Sequence, residues 1–293
     1  MAASNSAREI VLVDCPDDVG LIHRITGVLG AHRLNIESNH EFVDTDARYF
    51  FFRAEVMPAA GAAAPESGAL AAELVRVLPK AARVRVTRAE RRPIVVCATR
   101  EPHCLGELLL LDAVGDLPGR IVAVVSNHDT LRGLVERFGL PFHHLPHHDP
   151  EGRDLPRAAH EEALAGVIDG YAAEYVVLAR YMRVLSADFV GRYPDRIVNI
   201  HHSFLPAFAG ASPYRQAFVR GVKVIGATAH VVTAELDDGP IIAQDVIHVD
   251  HTFTPERMAQ AGRDVEKLVL AKAVRLVLEE RVFLHGRRTV VFG

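Results

Sequence analysis

The sequence predicts an α/β protein in two parts: a doubly wound, mostly parallel sheet preceded by a small α+β domain. Three observations carry this prediction. Beyond Pro93, near-continuous apolar runs such as Ile94-Val95-Val96, Ile121-Val122-Ala123-Val124-Val125 and Tyr175-Val176-Val177-Leu178 alternate with helical stretches, the pattern of parallel strands covered on both faces. Ahead of Pro93 the order of elements is β-α-β-β-α-β. The length of 293 residues allows each part its own core. The domains are therefore expected at 8–90 and 93–293.

Composition narrows the function classes. With 49% hydrophobic and 24% charged residues and a net charge of −4, the chain reads as a soluble globular protein with no general attraction for nucleic acid or anionic membrane. No N-terminal apolar run follows a basic flank, and no uncharged stretch has membrane-spanning length, so neither a signal peptide nor a transmembrane helix is expected. The cytoplasm is the expected compartment. Cys15, Cys97 and Cys104 form an odd set without Cys-x-x-Cys spacing and are expected as reduced thiols.

In the first domain a short strand, 9–13, stops at Asp14-Cys15-Pro16-Asp17-Asp18. Asp17 or Asp18 is expected to cap the next helix, on which Leu21, Ile22, Ile25, Val28 and Leu29 make one apolar stripe. Two strands, the first over 35–38 and 42–43 and the second over 49–56, are joined by the turn-prone Asp44-Thr45-Asp46 and read as a hairpin. A segment rich in Ala, Pro and Gly, 58–68, leads to a helix at 70–78 and a strand at 83–86. The basic run Lys80, Arg83, Arg85, Arg88, Arg91 and Arg92 has no interleaved aromatic residues and reads as a solvated edge strand and linker.

This order, with Cys15-Pro16-Asp17-Asp18-Val19-Gly20-Leu21 at the first turn and Leu34-Asn35-Ile36 after the first helix, resembles an ACT domain, a small ferredoxin-like regulatory module. The resemblance implies an amino-acid effector held at a dimer interface by Asp17, Gly20 and Asn35, and hence a homo-oligomer. Read without it, Asp17 is a helix cap and Gly20 a turn residue.

In the second domain strands are expected at 94–98, 120–126, 141–145, 175–179 and 196–200, separated by helices at 103–111, 129–138, 156–170 and 186–192. Strands 223–232 and 241–249 flank the turn Asp237-Asp238-Gly239-Pro240 and read as an edge hairpin, followed by a helix at 255–280. The first strand-to-helix turn carries Glu101, Pro102 and His103 in place of a glycine-rich phosphate cradle, which removes support for dinucleotide and ATP chemistry.

Side chains alternate along a strand, so Asn199 and His201 should face the same way at the carboxyl end of the central strand, where open α/β sheets place their chemistry. Gly226, Thr228 and His230 share one face of strand 224–232, and Asp237 follows in the turn. An amide, an imidazole and a carboxylate suit acyl transfer or hydrolysis without a covalent intermediate. Ser203 lacks the Gly-x-Ser-x-Gly setting of a nucleophile, and Cys104 reads as a buried small residue. Sixteen histidines, among them His143, His144, His147 and His148, invite a metal reading. Neighbours on a strand point apart and no His-Glu-x-x-His spacing occurs, so no metal is expected.

Three stretches, Asn199-Ile200-His201-His202-Ser203-Phe204-Leu205-Pro206, Gly226-Ala227-Thr228-Ala229-His230 and Glu235-Leu236-Asp237-Asp238-Gly239-Pro240-Ile241-Ile242, resemble the formyltransferase fold that uses 10-formyltetrahydrofolate. That resemblance implies Asn199, His201 and Asp237 as catalytic residues. Asn199 and His201 would hold the oxyanion, and Asp237 would accept a proton from water. It also implies Met182, Arg183 and Leu185 beside the pterin, with His230 on the substrate side. An ACT domain joined to this fold is similar to the formyltetrahydrofolate deformylases. Those enzymes pass the formyl group to water, and the implied purpose is formate for purine and one-carbon metabolism. The folate is then the substrate, and no separate cofactor is expected. A basic residue is usual where Ser212 stands and histidine where Arg215 stands, which bears on binding of the folate tail. Two other readings stay open: a formyltransferase with an amine acceptor, and an amino-acid-sensing protein whose catalytic half has decayed.

Overall fold

The structure is a computed structural model that describes residues 8–149, 151–206 and 213–293. Its contacts form two units. The first comprises the chain up to Glu90 with Glu279–Phe283 and Val290–Gly293; the second comprises Arg91–Leu278 and Leu284–Thr289.

The first unit runs β1 (Glu9–Pro16), α1 (Leu21–Ala31), β2 (Leu34–Asp44), β3 (Tyr49–Pro58), α2 (Ser67–Val77) and β4 (Arg83–Arg88). Its sheet has the order β2-β3-β1-β4, with β1 antiparallel to both β3 and β4. Strand alternation sends Val11, Val13, Phe50 and Phe52 into one core with Ile25, Leu29, Leu70 and Leu74 from the helices. Ile10, Leu12 and Phe51 face the other way, where Phe283 and Phe292 cover them. This second apolar face is why 279–283 and 290–293, expected in the second domain, pack within the first unit.

The structure sharpens one local expectation and corrects another. The first strand of the hairpin, read at 35–38 and 42–43, is the continuous β2, with a register shift between Ile36 and Ser38. Neither Asp17 nor Asp18 caps α1: the cap is Gly20, in a left-handed conformation and with no side-chain bond. Asp18 instead accepts from the Val19 amide and pairs with Arg24 at 2.5 Å, and the Asp17 amide donates to the Arg48 carbonyl.

The second unit contains β5 (Arg92–Ala98), α3 (His103–Val114), β6 (Gly119–Ser126), α4 (Arg132–Arg137), β7 (Phe142–His144), α5 (Arg157–Gly170), β8 (Tyr175–Ala179), α6 (Ala187–Arg192), β9 (Ile197–His201), α7 (Pro213–Arg220), β10 (Val224–Val231), β11 (Ile241–His248) and α8 (Pro255–Leu278). The sheet order is β11-β10-β9-β8-β5-β6-β7. Strands β5 to β9 pair in parallel, and β10 is antiparallel to both β9 and β11. The chain builds outward from β5 through β6 to β7, then returns to lay down β8 and β9 on the other side. That reversal puts the topological switch between β5 and β8, where a crevice opens beyond the strand ends. Helix α7 and the C-terminal strands β12 (Val282–His285) and β13 (Arg288–Val291) carried no signal in the sequence reading. All three cysteines are free and buried, and burial pushes the Cys97 thiol up to about 12. Among the described residues no helix is long and apolar enough to cross a membrane.

Candidate active site

One cavity of about 820 Å³ opens at the carboxyl ends of β8 and β9 and is lined by Asn199, His201, His230 and Asp237 together with 180–185. The β9–β10 register sets Asn199 opposite His230 and His201 opposite Thr228. The Nδ1 of His230 donates to the Val231 carbonyl at 3.0 Å, which leaves Nε2 to accept from the Asn199 amide at 3.2 Å. His230 therefore orients Asn199. Thr228 is buried beneath the loop after β9: its hydroxyl donates to the Ser203 carbonyl and accepts from the Leu205 amide. Ser203 is buried under these bonds.

Asp237 lies in the turn between β10 and β11 with a left-handed φ of 53°, which aspartate tolerates better than most residues. Gly239 makes the turn possible: a Cβ there would overlap the Val231 carbonyl oxygen. The Asp237 carboxylate sits 3.2 Å from Nδ1 of His201 and 3.8 Å from Nε2 of His230. The hydrogen bond from His201, with the His230 ring also close by, outweighs burial and holds the Asp237 carboxyl well below the usual carboxylate range. On the far side of the imidazole, Nε2 of His201 is buried without a hydrogen-bond partner among the described residues.

The segment after β8 forms another wall. The Met182 amide donates to the Thr99 hydroxyl at 2.9 Å, pinning the segment to the end of β5. Met182 is 58% exposed, which rules out core packing as its role. Arg183 is half-buried, and Leu185 both lines the cavity and packs against the core of the unit.

A buried polar cluster that the sequence analysis did not assign closes the other end. Glu266, fully buried on α8, accepts from the Tyr214 hydroxyl at 2.5 Å, bonds Nε2 of His103 at 2.8 Å and lies 3.4 Å from the Arg180 guanidinium. Burial opposes its charge, yet His103, Arg180 and Tyr214 together keep the carboxyl below its ordinary range. Gly262 makes room for this, since a Cβ there would overlap the Tyr214 ring. The signal was present in the helix pattern. On α8 the positions Met258, Gly262, Val265, Glu266, Val269 and Leu270 form the buried stripe, and a glutamate within it must be paired.

His103, Glu266 and Cys104 are also the group among the described residues whose donor atoms lie close enough, within 4.8 Å, for a metal ion. The guanidinium of Arg180 already supplies a cation to Glu266, and burial raises the Cys104 thiol, so the donor set suits an ion-pair network. Of the other histidines, His143 bonds the Tyr171 hydroxyl, His148 pairs with Asp154, and His147 lies between His128 and His148 with ring centroids 5.5 and 4.0 Å away. In the first unit Asp17, Gly20 and Asn35 are all exposed. Ser212 lies outside the described residues, while Arg215 lines the cavity.

A family model described as formyl transferase matches residues 92–274, and an ACT domain model matches 10–61. The chain is 52% identical to a formyltetrahydrofolate deformylase of Escherichia coli over 97% of this chain and 98% of that one. It is 50% identical to the Haemophilus influenzae protein of the same name, over 97% of this chain and 99% of that one. A crystal structure of a formyltetrahydrofolate deformylase from Pseudomonas syringae superposes with a TM-score of 0.92 at 37% identity, covering all of this chain and 96% of that one.

Proposed function

The chain belongs to the formyltetrahydrofolate deformylase family, and from that premise we propose that it hydrolyses 10-formyltetrahydrofolate to formate and tetrahydrofolate. The observation that carries the reading is the pairing of Asp237 with His201 beside Asn199 in a single cavity, with Nε2 of His201 unmatched.

One role in this proposal differs from the sequence expectation. A carboxyl held so far below its usual range is a weak proton acceptor, so Asp237 acts as the fixed charge that orients His201, and the proton moves through Nε2. Water attacks the formyl carbon and gives its proton to Nε2 as the carbonyl oxygen takes up negative charge. The Asn199 amide, already aligned by His230, donates to that oxyanion. The imidazolium, stabilised by Asp237, then protonates N10 as the carbon–nitrogen bond breaks. Formate, tetrahydrofolate and one proton leave.

Met182, Arg183 and Leu185 are read as pterin contacts, a reading supported by their place on the cavity wall. The buried His103–Glu266 pair at the first turn supports water as acceptor, because a phosphorylated amine would need a cradle of backbone donors there. In the same proposal the first unit is regulatory, with Asp17, Gly20 and Asn35 meeting an amino acid, in a cytoplasmic homo-oligomer that supplies formate to purine and one-carbon metabolism without a resident cofactor.

Incubation with 10-formyltetrahydrofolate and no amine, with formate and tetrahydrofolate measured together, tests the reaction. Equimolar release, abolished in Asp237→Asn, is expected. Release only when an amine is supplied would make the protein a formyltransferase.

A further inference from the structure

We propose that His202 is a further catalytic residue of this site, the one that holds the attacking water. The inference rests on the hydrolytic reading above and adds the group that reading leaves unnamed. His202 follows β9 directly and is half-buried, and it lines the cavity with Asn199, His201 and Asp237. Its ring lies 5.2 Å from the His201 ring, centroid to centroid, and 6.2 Å from that of Tyr214.

The three histidines around the cavity differ in their partners. His230 spends both nitrogens on Val231 and Asn199, and His201 spends one on Asp237. His202 makes no hydrogen bond to any described residue. Half-buried imidazole nitrogens demand partners, and on a cavity wall that partner is water or substrate. Charge decides between donor and acceptor. His202 is faced by Arg180 and His201 on one hand and by Glu266 and Asp237 on the other; burial first, and then Arg180, push it down to about 4. A neutral ring offers one acceptor nitrogen, which takes an O–H from water while the second O–H is directed to His201. His202 receives no proton in the reaction. Tyr214 backs the ring, and Glu266 and the notch at Gly262 fix Tyr214 in place.

The test compares His202→Leu and His202→Gln with the parent enzyme in kcat, in KM and in binding of tetrahydrofolate. His202→Leu is expected to lose roughly a hundredfold in kcat, the scale of a misplaced reactant, with KM and tetrahydrofolate affinity nearly unchanged. His202→Gln retains an acceptor of similar reach and should recover about tenfold of that loss. Thermal midpoints identify a variant that fails to fold. A His202→Leu enzyme with most of its kcat, a loss confined to KM, or a glutamine variant no better than leucine would each overturn the assignment. Absence of formate release from the parent enzyme would instead overturn the hydrolytic reading, so the two failures are distinct.

Discussion

Two carboxylates in the second unit have similar neighbours and, in the proposed mechanism, opposite uses. Asp237 and Glu266 both lie against histidine, both are held below their ordinary range, and both line the same cavity. Glu266 is saturated, with Tyr214, His103 and Arg180 around it on a helix interior. Asp237 sits on a turn, and the imidazole it orients keeps a nitrogen in reserve. A depressed pKa thus marks a charged group without saying whether it works or supports. The spare hydrogen-bonding capacity of its partner does.

The largest effect that would break this contrast is at Asp237. Asp237→Asn should lower kcat about ten-thousandfold by releasing His201 from its tautomer, with tetrahydrofolate affinity in calorimetry nearly intact. Full activity in that variant would place Asp237 on the supporting side with Glu266. Asn199→Ala should cost roughly a hundredfold to a thousandfold in kcat, the usual effect of losing an oxyanion donor.

At Glu266 the effect should appear in stability. Glu266→Ala leaves Arg180 and His103 without their shared acceptor, and a loss of about 3–5 kcal/mol in urea unfolding is expected. Specific activity of the folded fraction should fall far less than in Asp237→Asn, and an equal fall would erase the distinction. Acid titration sharpens it further. Both carboxyls have folded values below their ordinary 3.8 and 4.5, so each contributes stability that is complete above the ordinary value and lost as pH falls through the lowered one. The urea midpoint should therefore drop as pH falls below about 4.5, and Glu266→Gln should flatten that slope. The smallest effect is in the first unit: Asp17→Ala should leave turnover without amino acids within about twofold, as an exposed residue outside the catalytic unit would. A larger change would join the two units functionally.

Legibility followed periodicity. Strand β8 was read to the residue because a run of Val and Leu buried on both faces resembles nothing else. Helix α7 was missed because eight residues are too short a window to carry a helical signal, and the expected cap at Asp17 failed because Gly20 starts α1 with its backbone alone. Asn199, His201 and Asp237 were readable from strand alternation and from a turn of Asp-Asp-Gly-Pro. Glu266 was readable only as an anomaly within an apolar stripe.

By itself the sequence determined the two-part organisation, the parallel core and the residue types available for the reaction, since these depend on local periodicity and on chemistry carried by each side chain. Only the tertiary structure decided which group has capacity to spare. That Asp237 serves His201, that His230 serves Asn199, and that Glu266 is spent on Tyr214, His103 and Arg180 are facts of hydrogen-bond geometry between residues 31 to 163 positions apart in the chain. Burial makes every such bond obligatory, and no periodicity in the chain records which partner satisfies it.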